Sequence, residues 1–543
     1  MYDVAWAMLL HPYDYLAPGM SGYGASAGSG SDAGNVRECE GLAMRHSIGV
    51  GHLLLGTAFA LVAAGCVKDN TSTSPSGVNA KDAAFVGYST PDTKQTTCGN
   101  CHVLKQASWL QTGHANAWKD LQASGHASAS CNKCHTTNGA TNVGADTAGY
   151  FSASPAAQKY YQDVQCEACH GPGQLHVATP DETQPIPYLV SYDSTKGVGC
   201  GECHSGPPHN PFFEDWSRGA HSVIEAPAIS NTSGTCLQCH EGKTAALRFG
   251  ASSTFLEAGS TTPMQLGCTT CHNPHGSSNT HELRASITTA DTMNLCIQCH
   301  KRRSVPDMTS ASGPHSPQGP TFLGTAGWRP AGFVWDSTNG TTHNSTTANP
   351  TLCATCHVAT LDVNNSAGQL AWHYTGHSFY AIPCVDTAGI DSTNSCDASV
   401  RSFAACATSG CHASQAVARS LFQSTGDELQ FLAGTIWTDV NGNGKIDSVD
   451  TGLLPKVPAA EFKTRSATVN NTLPYTVAEG GRFNVQLIAN DRSHGVHNAP
   501  YLRALLVATI EALKSQYALA APPAVDARVA AVASRLGVRI AAH

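Results

Sequence analysis

The chain of 543 residues repeats one short pattern, Cys-x-x-Cys-His, eight times. The copies are CGNCH (98–102), CNKCH (131–135), CEACH (166–170), CGECH (200–204), CLQCH (236–240), CTTCH (268–272), CIQCH (296–300) and CATCH (353–357), numbered one to eight below. Chance would supply roughly 0.04 such patterns in a chain of this Cys and His content, so the copies share a chemical cause. A longer relative, CATSGCH at 406–412, has four residues between its cysteines and is motif nine. Consecutive first cysteines lie 33, 35, 34, 36, 32, 28, 57 and 53 residues apart, so the first seven motifs form a quasi-repeat. Units this short cannot bury a hydrophobic core singly. Charged residues are only 13% of the chain, about half the globular average. Something other than large side chains has to fill the interior.

The spacing names that filler. Two thiols a short turn apart add to the two vinyl groups of one porphyrin, and the adjacent imidazole falls beneath its iron. Zinc sites combine two ligand pairs and do not need His after every second Cys. The pattern therefore predicts about nine haem c groups. Their thioether residues are Cys98, Cys101, Cys131, Cys134, Cys166, Cys169, Cys200, Cys203, Cys236, Cys239, Cys268, Cys271, Cys296, Cys299, Cys353, Cys356, Cys406 and Cys411. The proximal ligands are His102, His135, His170, His204, His240, His272, His300, His357 and His412. At motif nine either Cys406 or Cys396 is a possible first anchor; if Cys406 serves, Cys384 and Cys396 are left to close a disulfide. The expected fold is mostly irregular loops with short α-helices, wrapped round a closely packed haem chain, with little β structure.

Nine irons call for nine further imidazoles. Three segments read Trp-x4-His: WLQTGH to His114, WSRGAH to His221 and WHYTGH to His377; LQASGH to His126 is a near copy. His176 in CEACHGPGQLH and His275 in CTTCHNPHG follow a proximal His closely. His315, His343 and His497 complete nine distal candidates, with His209, His281, His373 and His494 in reserve.

CEACHGPGQLH, CTTCHNPHG, the Trp-x4-His units and DRSHGVHNAPYLRALL resemble multihaem c-type cytochromes of metal-reducing and anaerobic bacteria, including exported, lipid-anchored ones at the outer membrane. The resemblance covers roughly 90–510 and departs from the usual pattern at CATSGCH. It implies bis-His, low-potential haems arranged as an electron wire rather than a site of bond chemistry. Partners would be other cytochromes, a porin–cytochrome conduit or extracellular metal oxides. The rival expectations are a multihaem reductase of nitrogen or sulfur compounds with one open haem, and a subunit of a conductive filament.

The remaining segments follow in order. Residues 1–43 read as an upstream mis-start or disordered leader, 44–65 as a signal peptide, and 66–93 as a flexible linker behind Cys66. The ending AAGC resembles a lipobox that would acylate Cys66, tethering an exported protein in the periplasm or at the outer membrane and cell surface. Residues 94–300 hold seven haem motifs and 301–420 two more. Within 421–460, DVNGNGKIDSVD offers calcium the positions Asp439, Asn441, Asn443, Lys445 (by its carbonyl), Asp447 and Asp450. Residues 461–543 read as helical and carry His497. NAPYLRALLVATIEALKSQYAL has a cap at Asn498, Pro500 in the first turn and an apolar stripe from Leu502 to Leu513; a second helix is expected over 524–541. The formal charge of -8, taken to about -17 by nine haems with ionised propionates, excludes a nucleic-acid binder.

Overall fold

The computed structural model describes residues 84–536, except 139–148, 183, 194–198, 208–209, 226–227, 229, 231–233, 337–340, 391–393 and 409. The expected leader, export signal, Cys66, most of the linker, His209 and the end of the tail helix lie outside the described residues.

Each Cys-His motif closes one helical turn. The proximal N–H donates to the carbonyl of the motif's first cysteine: His102 to Cys98 at 3.0 Å, His204 to Cys200 at 2.9 Å, His240 to Cys236 at 3.1 Å, His272 to Cys268 at 2.9 Å and His300 to Cys296 at 3.1 Å. Such a turn brings residues three apart onto one face, so both thiols look the same way. Motif nine absorbs its two extra residues and ends alike, His412 donating to the Cys406 carbonyl at 3.0 Å. Cys384 and Cys396 are disulfide-bonded, and none of the eighteen motif cysteines is taken up in a disulfide.

Between the motifs run short helices. Among them are α1 (Val103–Trp109), α2 (Ala117–Ala123), α3 (Phe212–Ser217) and α4 (Gly242–Arg248). Among the described residues, strands form only two-stranded antiparallel ribbons: β1 (Tyr88–Thr90) with β2 (Gln95–Thr96), β3 (Leu361–Asn364) with β4 (Leu370–Tyr374), β5 (Val385–Asp386) with β6 (Gly389–Ile390), and β7 (Trp437–Thr438) with β8 (Thr451–Gly452). The expected helix-and-loop architecture is the one found.

The apolar core is unevenly shared. Through the motif region it comes in clusters of two or three buried residues, such as Tyr88, Trp109 and Ala115, or Leu283, Ile287 and Leu295. The C-terminal part instead packs α5 (Gln415–Ile436), α6 (Val477–Asp491), α7 (Ala499–Tyr517) and α8 (Pro523–Leu536) round one continuous core. α7 follows its sequence signals: the Asn498 side chain accepts from Tyr501 N, and Leu502, Leu505, Leu506, Ile510 and Leu513 are all fully buried. The sequence reading did not separate α5, which begins behind the Ser414 cap and crosses the boundary drawn at 420. Its buried leucines, Leu429 and Leu432, fall late in a helix whose first half leaves Val417 and Leu421 exposed.

A buried ion pair locks the start of α6. Glu479 reaches back to Thr476 N while Thr476 caps Glu479 N, forming a capping box. The same carboxylate meets Arg465 at 2.6 Å and 2.9 Å, both side chains being 1% exposed. Glu479→Gln leaves a guanidinium buried without its counter-charge, and should cost about 3–5 kcal/mol in denaturant unfolding of the C-terminal core. Burial opposes the Glu479 charge, but Arg465 and the backbone N–H donors outweigh it and hold its pKa below the ordinary value. That contribution is therefore present above the usual Glu pKa and lost as pH falls through the lowered one.

Candidate functional site: paired imidazoles along the motif chain

The structure brings eight proximal histidines each opposite a second imidazole. Ring-centroid separations are 6.2 Å for His102 and His176, 6.0 Å for His204 and His114, 5.9 Å for His170 and His275, and 6.3 Å for His300 and His221. They are 5.9 Å for His240 and His315, 6.4 Å for His272 and His377, 6.1 Å for His412 and His343, and 6.3 Å for His357 and His497. Two imidazoles gripping one iron from opposite sides, each through a metal–nitrogen bond of about 2 Å, hold their centroids about 6.3 Å apart. The interval is too wide for direct ring stacking and matches one metal atom. Within every pair the partner belongs to a different motif segment, so no segment completes its own haem site.

The ring nitrogens are sorted for this task. In His170, His272, His343, His357 and His377 the Nδ1 faces a backbone carbonyl, at 3.1, 2.7, 2.8, 2.8 and 3.0 Å. Donating there fixes the proton on Nδ1 and leaves the Nε2 lone pair for a metal. Two rings lean on carboxylates instead: His240 on Glu225 at 2.7 Å and His497 on Asp491 at 2.8 Å. Burial, with repulsion from neighbouring imidazoles, pushes His204, His221 and His357 down to about 4. They are therefore neutral, the form that binds iron.

The Trp-x4-His device has a structural explanation. Trp109 is buried and its indole N–H donates to the Val164 carbonyl at 3.0 Å, while Val164 N returns to the His114 carbonyl at 3.1 Å. Trp216 does the same with Leu266 at 2.9 Å, and Leu266 N returns to His221 at 3.1 Å. Trp372 uses a different partner, the buried Asp215 carboxylate at 3.1 Å. LQASGH has no indole to anchor it. Accordingly His126 is exposed, and among the described residues it faces no proximal imidazole. His135 is the one proximal ring without a facing imidazole there; its Nδ1 sits 2.8 Å from the Ala117 carbonyl.

The motif thiols show which motifs adjoin. Cys98 adjoins Cys166, Cys200 adjoins Cys268, and Cys296 adjoins Cys353. Cys203 adjoins Cys134, and Cys299 adjoins Cys239. Cys169 interacts with Cys200 and Cys203, Cys271 with Cys296 and Cys299, and Cys356 with Cys406 and Cys411.

The 439–450 loop is stitched by its own polar groups. Asp439 accepts from Asn443 N and Gly444 N, and both Asn441 and Asn443 amides donate to Asp447. Asp450, the last calcium candidate, is buried against Trp437 Nε1 and Val440 N. Among the described residues no group of three His, Cys, Asp or Glu side chains is placed to hold a metal ion.

Known families agree with the motif geometry. Residues 97–171, which hold motifs one to three, match the family "Cytochrome c554 and c-prime", and residues 262–304, which hold motifs six and seven, match the "Doubled CXXCH motif". The chain is a multihaem c-type cytochrome. No curated protein sequence matches this cytochrome significantly. Two solved structures are similar to it. The outer cell wall cytochrome OcwA is 17% identical with a TM-score of 0.42, over 70% of this chain and 75% of that one. The undecahaem cytochrome from the S-layer of Carboxydothermus ferrireducens is 18% identical with a TM-score of 0.42, over 80% of this chain and 70% of that one. No helix among the described residues of the cytochrome is long and apolar enough to cross a membrane.

Proposed function

We propose that this cytochrome is an exported electron conductor whose nine haems pass electrons between a donor and an extracellular or periplasmic acceptor. The observation that carries the reading is the set of eight imidazole pairs spaced for one iron each. Haem supplies one-electron cycling between ferric and ferrous iron. The chain's share is to keep two imidazoles on each metal, so that neither coordination number nor spin state changes with the electron, and to hold the anchoring cysteines of neighbouring motifs side by side.

The thiol contacts give a route. Motifs one, three, four, six, seven, eight and nine form a continuous spine, with motif two attached at four and motif five at seven. Redox partners, including a metal-oxide surface or a conduit protein, would meet the ends of that spine or its two side haems. Lipid attachment at Cys66 and calcium in the 439–450 loop belong to the same proposal and rest on sequence pattern. Low-temperature electron paramagnetic resonance of the oxidised holoprotein, together with haem quantitation, tests the reading. About nine covalent haems, all low-spin, are expected; a persistent high-spin iron that responds to nitrite or hydroxylamine would favour a reductase instead. The lone His135 is what recommends that second reading.

One consequence concerns His497. Its Nδ1 is bonded to Asp491, whose side chain is 1% exposed. Burial disfavours the charged ring, yet Asp491 outweighs this and raises the His497 pKa. A carboxylate behind an axial imidazole makes it a stronger electron donor and favours ferric iron. Asp491→Asn should raise the potential of the haem on His357 by tens of millivolts in a spectropotentiometric titration and leave the remaining haems in place.

A further inference from the structure

An axial imidazole donates more strongly to iron when a good acceptor holds the proton on its Nδ1, and most strongly when that acceptor is a carboxylate. Stronger donation favours ferric iron and lowers the potential. The acceptors behind the axial rings therefore rank neighbouring haems, and they set motif seven apart from every motif it adjoins. Those motifs are five through Cys239, six through Cys271 and eight through Cys353. At motif six both rings face carbonyls, His272 that of His281 at 2.7 Å and His377 that of Thr375 at 3.0 Å. At motif eight His357 faces the Phe379 carbonyl at 2.8 Å, and His497 the Asp491 carboxylate at 2.8 Å. At motif five His240 faces the Glu225 carboxylate at 2.7 Å. Motif seven has the Gln318 amide oxygen, 3.4 Å from His300 Nδ1, beyond the usual hydrogen-bond range of about 2.7–3.2 Å. Its facing ring, His221, lies against Phe379 with centroids 4.5 Å apart, and among the described residues its nitrogens have no hydrogen-bond partner.

The weak acceptor is held in place. Gln318 opens the short helix Gln318–Phe322, and its Nε2 donates to the Asn490 carbonyl at 3.0 Å, which turns Oε1 toward His300. Asn490 and Asp491 are the last two residues of α6. One of them thus fixes a neutral amide behind motif seven, and the next sets a carboxylate behind motif eight. We propose that the haem of motif seven has the highest potential of the four that meet there and is the electron sink of that junction, with Gln318 as the positioning residue that keeps its axial support weak. Electrons entering from any of the three arms settle on this haem. Passage toward motif nine then climbs the step between motifs seven and eight, so the C-terminal helical core sets the step as well as packing against the motifs.

The proposal rests on the bis-imidazole reading above, and the experiment separates the two. Spectropotentiometric titration of the holoprotein is compared with that of its variants, with haem quantitation and electron paramagnetic resonance on each. Gln318→Glu should move one midpoint down, shifting that haem's reduction equilibrium about tenfold toward ferric iron. Gln318→Leu, which removes the acceptor without adding charge, should not lower it. In the wild type that midpoint should lie above the ones raised by Asp491→Asn and Glu225→Gln, and above the one lost when Cys268 and Cys271 are both replaced by serine. A moved midpoint that is not the highest of these four overturns the proposal. So does a Gln318→Glu titration that matches the wild type, or an equal fall in Gln318→Leu, while about nine low-spin haems are retained. Far fewer haems, or a high-spin iron at motif seven, in the wild type would instead sink the bis-imidazole reading and this proposal with it.

Discussion

Replacing Cys268 and Cys271 by serine should cut current through the holoprotein by orders of magnitude, while the same change at Cys236 and Cys239 should leave most of it. Each double variant loses both thioether anchors of one motif and hence one haem. Their places in the network differ. Cys268 lies beside Cys200 of motif four, and Cys271 beside Cys296 and Cys299 of motif seven, so motif six joins the two halves of the spine. Motif five adjoins motif seven through Cys239, as a side branch. Conductance across monolayers of the wild type and the two variants measures the difference, with haem quantitation confirming that each variant has lost one. Equal losses of current in the two variants would rule out the branched route.

The site was far more legible than its assembly. Cys-x-x-Cys-His announces its own chemistry because covalent attachment fixes the spacing of the residues, and a bound imidazole must follow. Eight distal candidates also lie opposite a proximal ring, because a shortage of other ligands left few histidines to choose from. Which iron each serves was not readable: His114 faces His204 and His377 faces His272, partners set by how whole segments pack. His126 shows why the local pattern misleads. LQASGH copies the spacing but not the indole N–H that pins the three Trp units to Val164, Leu266 and Asp215. In the fold, α7 was visible from its stripe and cap, whereas α5 gave no continuous periodic signal. The C-terminal core therefore came as an exception to an interior expected to consist of porphyrin.

That exception leads to the second large effect. Produced without haem attachment, the chain should keep its C-terminal helices and lose order through the motif region. In α5 to α8 one cluster of buried leucines, isoleucines and valines, extended by Ala326, Tyr501 and Trp437, removes enough apolar surface from water to offset chain entropy by itself. From 84 to about 410 the clusters hold two or three residues each, far too few for the backbone they would have to order. What organises that region in their place is polar. The buried Glu167 carboxylate gathers the N–H groups of Val86, Gly87 and Gly173, and buried Asp215 gathers Trp372 and Thr375 across a long separation in sequence. Such bonds specify a loop arrangement but stabilise it little on balance, because the same groups are well solvated in the open chain. Hydrogen exchange should accordingly show protected amides in 415–536 and in the 318–336 segment packed on it, with fast exchange elsewhere. Limited proteolysis should leave a C-terminal fragment from the apo chain and a far longer one from the holoprotein. Equal protection along the apo chain would mean that side chains, not porphyrins, hold the motif region together.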